Sequence, residues 1–211
     1  MRIAICGGTF DPFHRGHLDP ILAVRDEMRW DRVIYVPAFR QPFKLDRQTT
    51  SGFHRFAMTV LATGRHDDFF VSPWELDRGE VSYTVDTLEA MRGQYPADTL
   101  DWIIGEDNVA DLPRWRNVDR IFELANFVVL ARAAGNEGGP EASAICSTPA
   151  EPGRASSNAA GAIIYAHNET VPVSSTEIRK RVRAGESIER FVDPLVARYI
   201  HHNGLYREAY T

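Results

Sequence analysis

GGTFDPFHRGH, residues 7–17, lies between a short apolar run at residues 2–6 and an amphipathic run that opens at Leu18. This order predicts a strand, a glycine turn and the start of a helix, whose backbone N–H groups and partial positive charge attract anions. Gly7 and Gly8 can adopt positive φ and lack Cβ atoms, so we expect a phosphate to approach the backbone closely there. The stretch therefore predicts a phosphate-binding turn rather than an ordinary strand–turn–helix link.

Two histidines three residues apart, His14 and His17, strengthen this prediction. Each imidazole can aim a ring N–H at a phosphate oxygen while staying neutral or weakly cationic near pH 7. A second element is predicted near the end of the chain, where Ser174 caps a helix and Glu177 completes a capping box. Paired, the two elements predict a cradle for a polyphosphate. The side chains that the second element contributes are Ser175, Thr176 and Arg179.

Residues 7–17 resemble the HxGH nucleotidyltransferase superfamily, whose members carry (G/P)(G/S)(T/S)FDPxHxGH at the first strand–helix junction. The resemblance is to the bacterial nicotinate-mononucleotide adenylyltransferases, and it extends over nearly the whole chain. One stretch departs from that family. Where the family often reads Pro-Pro-His-Lys, residues 41–44 read QPFK, which keeps Lys44 but puts Phe43 in place of the histidine. Further matching stretches are SYT at 82–84, IIGEDN at 103–108, PRW at 113–115 and SSTEIR at 174–179.

The resemblance implies an adenylyl transfer in which a phosphate oxygen of nicotinate mononucleotide attacks the α-phosphorus of ATP and pyrophosphate leaves. Such chemistry depends on positioned donors rather than on a covalent intermediate. Mg²⁺ is expected to bridge the ATP phosphates, with no protein ligand that we can name. The implied catalytic residues are His14, His17, Lys44 and Arg179. The implied ATP contacts are Gly8, Thr9, Phe10, His14, His17, Gly105, Asp107, Arg132, Ser175, Thr176 and Arg179, and the implied acceptor contacts are Lys44, Tyr83, Thr84, Asp107, Trp115 and Arg116.

Two of the acceptor residues also have a physical basis in the sequence. Trp115 has an arginine on either side, which makes full burial of this segment less favourable, so its indole is expected to stack on a flat ring. Thr84 opens a predicted helix, whose first N–H groups suit a ring carboxylate better than a neutral amide.

Composition restricts the class of protein. A chain of 211 residues, 44% hydrophobic and 25% charged, is typical of one globular enzyme domain. Its formal net charge of −5 argues against nucleic-acid or anionic-membrane partners, because no basic excess neutralises phosphates. Two distant cysteines, Cys6 and Cys146, predict neither a disulfide framework nor a metal cluster. With no signal peptide or membrane span apparent, we expect a cytoplasmic protein, and a homo-oligomer is left open.

Short β-type runs alternate with helical ones along the chain. The predicted strands cover residues 2–6, 32–37, 69–72, 100–104, 127–131 and 162–166, and their apolar interiors are typical of strands buried on both faces. Helical spacing follows at residues 53–61, 85–91 and 118–125. The alternation predicts an α/β fold, a Rossmann-like doubly wound parallel sheet, with ligands bound at the carboxyl ends of its strands.

We interpret residues 1–211 as a single domain with two additions. Residues 133–161 are mostly small and polar and are interpreted as a flexible surface insertion, with a functional lid as the alternative. Residues 174–211 predict a small C-terminal helical extension that carries the second phosphate element. Its first helix stops near Gly185, and its second starts at Pro194 and ends before Gly204.

Three other functions remain open at this point. Phosphopantetheine adenylyltransferases share the first motif but are typically shorter and lack counterparts of Tyr83, Thr84 and Trp115. Class I tRNA synthetases have an HxGH-type element, but this chain is too short for an anticodon domain and has no Lys-Met-Ser-Lys-Ser loop. A non-catalytic nucleotide sensor needs affinity but no transition-state donors, so the four catalytic candidates together argue against it.

Overall fold

The computed structural model describes residues 1–46, 48–131 and 161–207, with the backbone alone for Lys44. The strands are β1 (Arg2–Gly8), β2 (Arg32–Pro37), β3 (Phe69–Val71), β4 (Thr99–Gly105), β5 (Asn126–Leu130) and β6 (Ile163–Ala166). The helices are α1 (Arg15–Met28), α2 (Gly52–Thr63), α3 (Trp74–Arg78), α4 (Thr84–Gln94), α5 (Val118–Leu124), α6 (Ser175–Arg183) and α7 (Pro194–His202). Short 3₁₀ segments lie at Pro42–Lys44 and Glu106–Arg114.

These strands form one parallel sheet in the order β3-β2-β1-β4-β5-β6. The chain winds outward from β1 through β2 and β3, and then returns to the middle and winds the other way from β4. The strand order therefore reverses between β1 and β4. In open α/β sheets, ligands bind outside the carboxyl ends of the strands at this switch point. Here those ends are Gly8 of β1 and Gly105 of β4.

Successive strand residues point to opposite faces of the sheet, and each face has its own apolar cluster. Ala4 and Val33 belong to the cluster that α1, α2, α6 and α7 cover. Ile3 and Ile5 belong to the cluster that α4 and α5 cover on the other face. Helices thus lie on both sides of a parallel sheet, which confirms the predicted doubly wound fold.

The sequence located the regular elements well. All six predicted strands are present, with ends that match or differ by at most two residues. The cap of α6 is also present, since the Glu177 amide donates to Ser174 Oγ at 3.2 Å, and Asp193 caps α7. The five-residue helix α3 and both 3₁₀ segments were missed. Residues 132–160 and 208–211 lie outside the described residues, and with them nearly all of the predicted insertion.

Candidate active site

The turn after β1 forms where the sequence predicts it, but its glycines have a different role. Gly7 and Gly8 are the last residues of β1, and neither adopts positive φ, so that part of the prediction was wrong. A Cβ atom at Gly7 would lie 2.7 Å from the Trp102 indole, and one at Gly8 would lie 2.6 Å from the Phe10 ring. Glycine is required at both positions because aromatic rings occupy the space of the missing side chains.

Phe10 takes the unusual backbone conformation instead. Its φ is 52°, in the left-handed region that a bulky residue seldom adopts, so surrounding packing must hold it there. The side chain is only 3% exposed, and its ring centroid lies 5.0 Å from that of His17 and 5.8 Å from that of Tyr35. Phe10 was predicted to contact ATP. Because its ring supports His17 from within the core, only its backbone is placed for such a contact.

The two histidines stack on each other at the start of α1. Their ring centroids are 3.7 Å apart with an interplanar angle of 21°; His14 is buried and His17 half-buried. The His14 backbone N–H donates to His17 Nδ1 at 3.2 Å, so a neutral His17 ring carries its proton on Nε2. The Tyr35 hydroxyl donates to the His17 carbonyl at 3.0 Å, and burial raises the pKa of Tyr35 well above its usual value. These bonds fix the orientation of the His17 ring and its donor.

Helix α6 brings the second predicted element to the first. Ser175 Oγ donates to the Pro12 carbonyl at 3.1 Å, and Arg179 Nη1 donates to the Asp11 carbonyl at 2.7 Å. Arg179 Nη2 also donates to Thr176 Oγ1 at 3.3 Å. The starts of α1 and α6, each with a partial positive charge, therefore lie beside one another. Two sequence-distant elements thus form one cluster of hydrogen-bond donors.

The buried Asp11 carboxylate anchors this cluster to the rest of the protein. Its Oδ1 accepts a hydrogen bond from the Tyr206 hydroxyl at 2.6 Å, and its Oδ2 accepts one from the Thr50 amide at 3.0 Å. Sequence reasoning missed both partners. A tyrosine near the end of a chain gives no sign that it reaches a turn near the start.

The predicted acceptor turn lies at the start of α4. Tyr83 is the N-cap residue and Thr84 the first helical residue, as expected. The Asp86 and Thr87 amides donate to the Tyr83 carbonyl at 3.1 and 3.3 Å, so they are not available to a ligand. The amides that can donate outward are therefore those of the first two helical positions, Thr84 and Val85.

Arginines surround this turn. The Arg116 guanidinium lies 4.7 Å from the centroid of the Tyr83 ring and 4.0 Å from the Asp86 carboxylate. Arg78 pairs with the same carboxylate at 3.3 Å. Trp115, which precedes Arg116 in the chain, is half-buried and packs against the apolar cluster under α4 and α5. Arg78, which also pairs with Glu80, and Arg116 therefore both approach the Asp86 carboxylate beside the acceptor turn.

A further contact joins the loops that follow β2 and β4. The Arg114 guanidinium lies 5.3 Å from the centroid of the exposed Phe43 ring, a cation–π distance. Phe43 stands where the family often has histidine, so this contact depends on the residue that departs from the family pattern.

For the remaining predicted residues, the structure describes few contacts or none. Gly105 ends β4, and the exposed Asp107 accepts a hydrogen bond from Asn108 Nδ2 at 3.1 Å. The Lys44 side chain and all of Arg132 lie outside the described residues. In the part of the chain that the structure describes, no three His, Cys, Asp or Glu side chains form a group that could hold a metal ion. No described helix is long and apolar enough to cross a membrane.

Comparisons with known proteins bear on the family and the fold of this chain. A cytidylyltransferase-like family model matches residues 5–181. A probable nicotinate-nucleotide adenylyltransferase of Gemmatimonas aurantiaca is 39% identical, over 99% of this chain and 93% of its own length. One from Thermus thermophilus is 36% identical, over 98% of this chain and 100% of its own. The chain belongs to the nicotinate-nucleotide adenylyltransferases. The fold matches Plasmodium falciparum nicotinic acid mononucleotide adenylyltransferase complexed with NaAD, with a TM-score of 0.70, 18% identity and 97% coverage of both chains.

Two further residues of this adenylyltransferase were absent from the sequence-based prediction. Arg55 of α2 and Glu75 of α3 are 2% and 5% exposed. Arg55 donates to the Thr9 carbonyl of the phosphate turn at 2.8 Å, and Glu75 accepts from the Thr87 hydroxyl in the first turns of α4. No sequence signal marks them, since charged residues are usually exposed.

Proposed function

We propose that this protein transfers the adenylyl group of ATP to nicotinate mononucleotide, forming deamido-NAD and pyrophosphate. The observation that carries the proposal is the cluster at the switch point, where α6 places Ser175 and Arg179 against the Asp11–Pro12 turn beside two stacked histidines. Membership in the family supports the choice of both substrates. Clustered, oriented donors suit phosphoryl chemistry because they stabilise charge without needing to reorganise.

On the donor side, the starts of α1 and α6 hold the β- and γ-phosphates of ATP, with Ser175, Thr176 and Arg179 as their contacts. His14 and His17 contact the α-phosphate. The Nε2–H of His17 donates to an oxygen on which negative charge grows as the acceptor phosphate attacks. The new bond joins the acceptor oxygen to the α-phosphorus, and the bond from the α-phosphorus to the bridging oxygen breaks with loss of pyrophosphate. Lys44 contacts the transferring group.

The other ATP contacts lie at the end of β4 and after β5. Gly105 lets the adenine approach the backbone, and Asp107 accepts from ribose hydroxyls. Arg132, which follows β5 in the sequence, contacts the nucleotide. These three roles rest on the family resemblance together with the place of Gly105 beside the switch point.

On the acceptor side, the nicotinate ring stacks on Trp115. The ring carboxylate accepts hydrogen bonds from the backbone amides at the start of α4. Tyr83 and Thr84 supply this turn, and Arg116 lies over the Tyr83 ring. Arg78 pairs with both Asp86 and Glu80, whereas Arg116 approaches Asp86 only to 4.0 Å, so the Arg116 guanidinium favours an anionic ring substituent.

Mg²⁺ enters with ATP in this proposal. The described residues offer no cluster of carboxylates, and the donors beside the phosphate turn are imidazole, hydroxyl and guanidinium groups, which fit phosphate oxygens rather than a cation. Bound to ATP, the ion would lower the charge that the leaving pyrophosphate must carry. We also propose a cytoplasmic location, with no nucleic-acid or membrane partner.

Pyrophosphate release with a panel of substrates tests the proposal. ATP and CTP are each assayed as donor, with nicotinate mononucleotide, phosphopantetheine or no acceptor. We expect release only from ATP with nicotinate mononucleotide, and a product with the mass of deamido-NAD. Preference for CTP or for phosphopantetheine would assign the chain to another branch of the superfamily. Nucleotide binding without turnover would indicate a sensor.

A further inference from the structure

Two buried charged side chains, Arg55 and Glu75, lie between the phosphate turn and the acceptor turn, and the chemistry above uses neither. Charged side chains this deeply buried are rare unless they are paired or hydrogen-bonded, because burial removes their hydration. Their partners therefore indicate what they are retained to do.

Arg55 connects the phosphate turn to the segments that flank it. Its Nη1 donates to the Thr9 carbonyl at 2.8 Å and its Nε to the Thr50 carbonyl at 2.9 Å. Its Nη2 lies 3.5 Å from the Phe39 carbonyl, in the segment that follows β2. One guanidinium thus spans the residue after β1 and the chain after β2, in the fixed fork geometry that arginine provides.

The connection continues from Phe39 to the acceptor turn. The Phe39 amide donates to Ser82 Oγ at 3.0 Å, and the Ser82 amide donates to the Arg40 carbonyl at 2.8 Å. The Glu75 carboxyl accepts a hydrogen bond from the Thr87 hydroxyl, and the nearby Ser82 side chain stabilises its charge. Glu75 therefore holds the chain on both sides of Tyr83 and Thr84.

We propose that Glu75 is a positioning residue for the acceptor nucleotide: with Arg55, it fixes residues 82–84 relative to the phosphate turn. The inference rests on the proposed function, because Tyr83 and Thr84 are the residues assigned to the nicotinate ring. The Thr84 and Val85 amides bind the ring carboxylate only if residues 82–84 are placed accurately, so a shift of this turn weakens acceptor binding and raises the acceptor KM. A buried connector of hydrogen bonds supplies that accuracy better than a surface contact does.

A purely structural role would give a different result from a positioning role. Loss of structural support lowers stability and affects both substrates alike. Loss of positioning affects the acceptor selectively, because the histidines and Arg179 that hold ATP do not contact Glu75. The ratio of the two KM changes therefore distinguishes the roles.

The experiment measures KM for nicotinate mononucleotide at saturating ATP, and KM for ATP at saturating nicotinate mononucleotide, in the full-length protein. Glu75→Leu is expected to raise the acceptor KM by about tenfold or more and the ATP KM by less than about twofold. Glu75→Gln should restore the acceptor KM to within about threefold of wild type, because an amide can accept from one hydroxyl and donate to the other. The control, Glu27→Leu, removes an exposed carboxylate near the end of α1 and should leave both KM values unchanged.

Equal changes in both KM values, or none, in Glu75→Leu would overturn the inference while leaving the proposed function intact. If Glu75→Leu does not fold, Thr87→Val decides, since it removes one hydroxyl donor without changing shape. We expect it to raise the acceptor KM by about threefold or more, and an unchanged acceptor KM would overturn the inference. Wild-type protein that makes no product from nicotinate mononucleotide would overturn the proposed function and this inference with it.

Discussion

The phosphate side and the acceptor side of the site are built differently. Phe10 and His14 on the phosphate side are 3% and 6% exposed, whereas Phe43 and Arg114, which meet on the acceptor side, are 54% and 68% exposed. The phosphate donors are held from within the core, while parts of the acceptor site are held by contacts at the surface. Changes on the phosphate side should therefore reduce kcat, and changes on the acceptor side should mainly raise the acceptor KM.

The largest expected effect is on the phosphate side. Replacing His17 or Arg179 by Ala should lower kcat by ~10²-fold or more, because each removes a preorganised donor from the developing charge. Both variants should remain folded, since neither side chain is fully buried. Steady-state kinetics and thermal unfolding check this result. The control is Arg183→Ala, which removes an exposed cation from α6, the helix that carries Arg179. Near wild-type kcat in both variants would contradict the assigned roles.

The contribution of the buried Asp11 anchor on the phosphate side can be measured as a change in the free energy of unfolding. Tyr206→Phe removes the hydroxyl that donates to the buried Asp11 carboxylate and should lower the free energy of unfolding by about 1–3 kcal/mol. Urea denaturation measures the change. The control is Tyr165→Phe, because that side chain is 57% exposed and should tolerate the loss. Equal stabilities of the two variants would show that the Asp11 anchor contributes little.

On the acceptor side, Arg116→Ala should raise KM for nicotinate mononucleotide by about tenfold with kcat nearly unchanged. The reason is that Arg116 contributes to the positive charge that receives the carboxylate, yet is 55% exposed and takes no part in bond breaking. Arg120→Ala, on the exposed face of α5, is the matched control. A fall in kcat at constant KM would remove the distinction between the two sides.

The smallest expected effect is a pH dependence of stability at Glu75. Burial raises the pKa of the Glu75 carboxyl above its ordinary value, while its bonds to Ser82 and Thr87 and the charges of Arg78 and Arg55 oppose that rise. The folded state therefore keeps this proton to higher pH than the unfolded chain does. As pH rises from the ordinary pKa through the raised one, the wild type should lose stability relative to Glu75→Gln.

Unfolding free energies of both proteins at about pH 4.5 and about pH 8 measure this change. A difference between them that stays constant, or that shifts in favour of the wild type at the higher pH, would contradict the raised pKa.

The sequence was most informative where burial sets a pattern. Runs such as residues 32–37 are apolar throughout because both faces of a parallel sheet are covered, and such runs located the strands. Helix α3 was missed because five residues are too few to show a helical period. The 3₁₀ segment Glu106–Arg114 was missed because it contains Pro113, a residue that argues against a helix interior.

Contacts between distant residues could not be predicted in the same way. The motif indicated that Gly7 and Gly8 matter. Glycine is needed there because the rings of Trp102 and Phe10 fill the space of a side chain, which depends on packing between elements. No sequence signal marks Arg55 and Glu75 as buried, because most charged residues lie at the surface, and only the folded chain shows that they join the two sides of the site.

The ratio of kcat/KM for nicotinate mononucleotide to that for nicotinamide mononucleotide, at fixed ATP and Mg²⁺, tests the central claim most directly. A carboxylate gains charge-assisted hydrogen bonds at the start of α4, worth about 1.5–3 kcal/mol each, whereas an amide brings an NH₂ group that cannot pair with those donors. We predict a ratio of ~10² or more in favour of the acid. Equal efficiency, or preference for the amide, would contradict the assignment of the acceptor site and of the reaction.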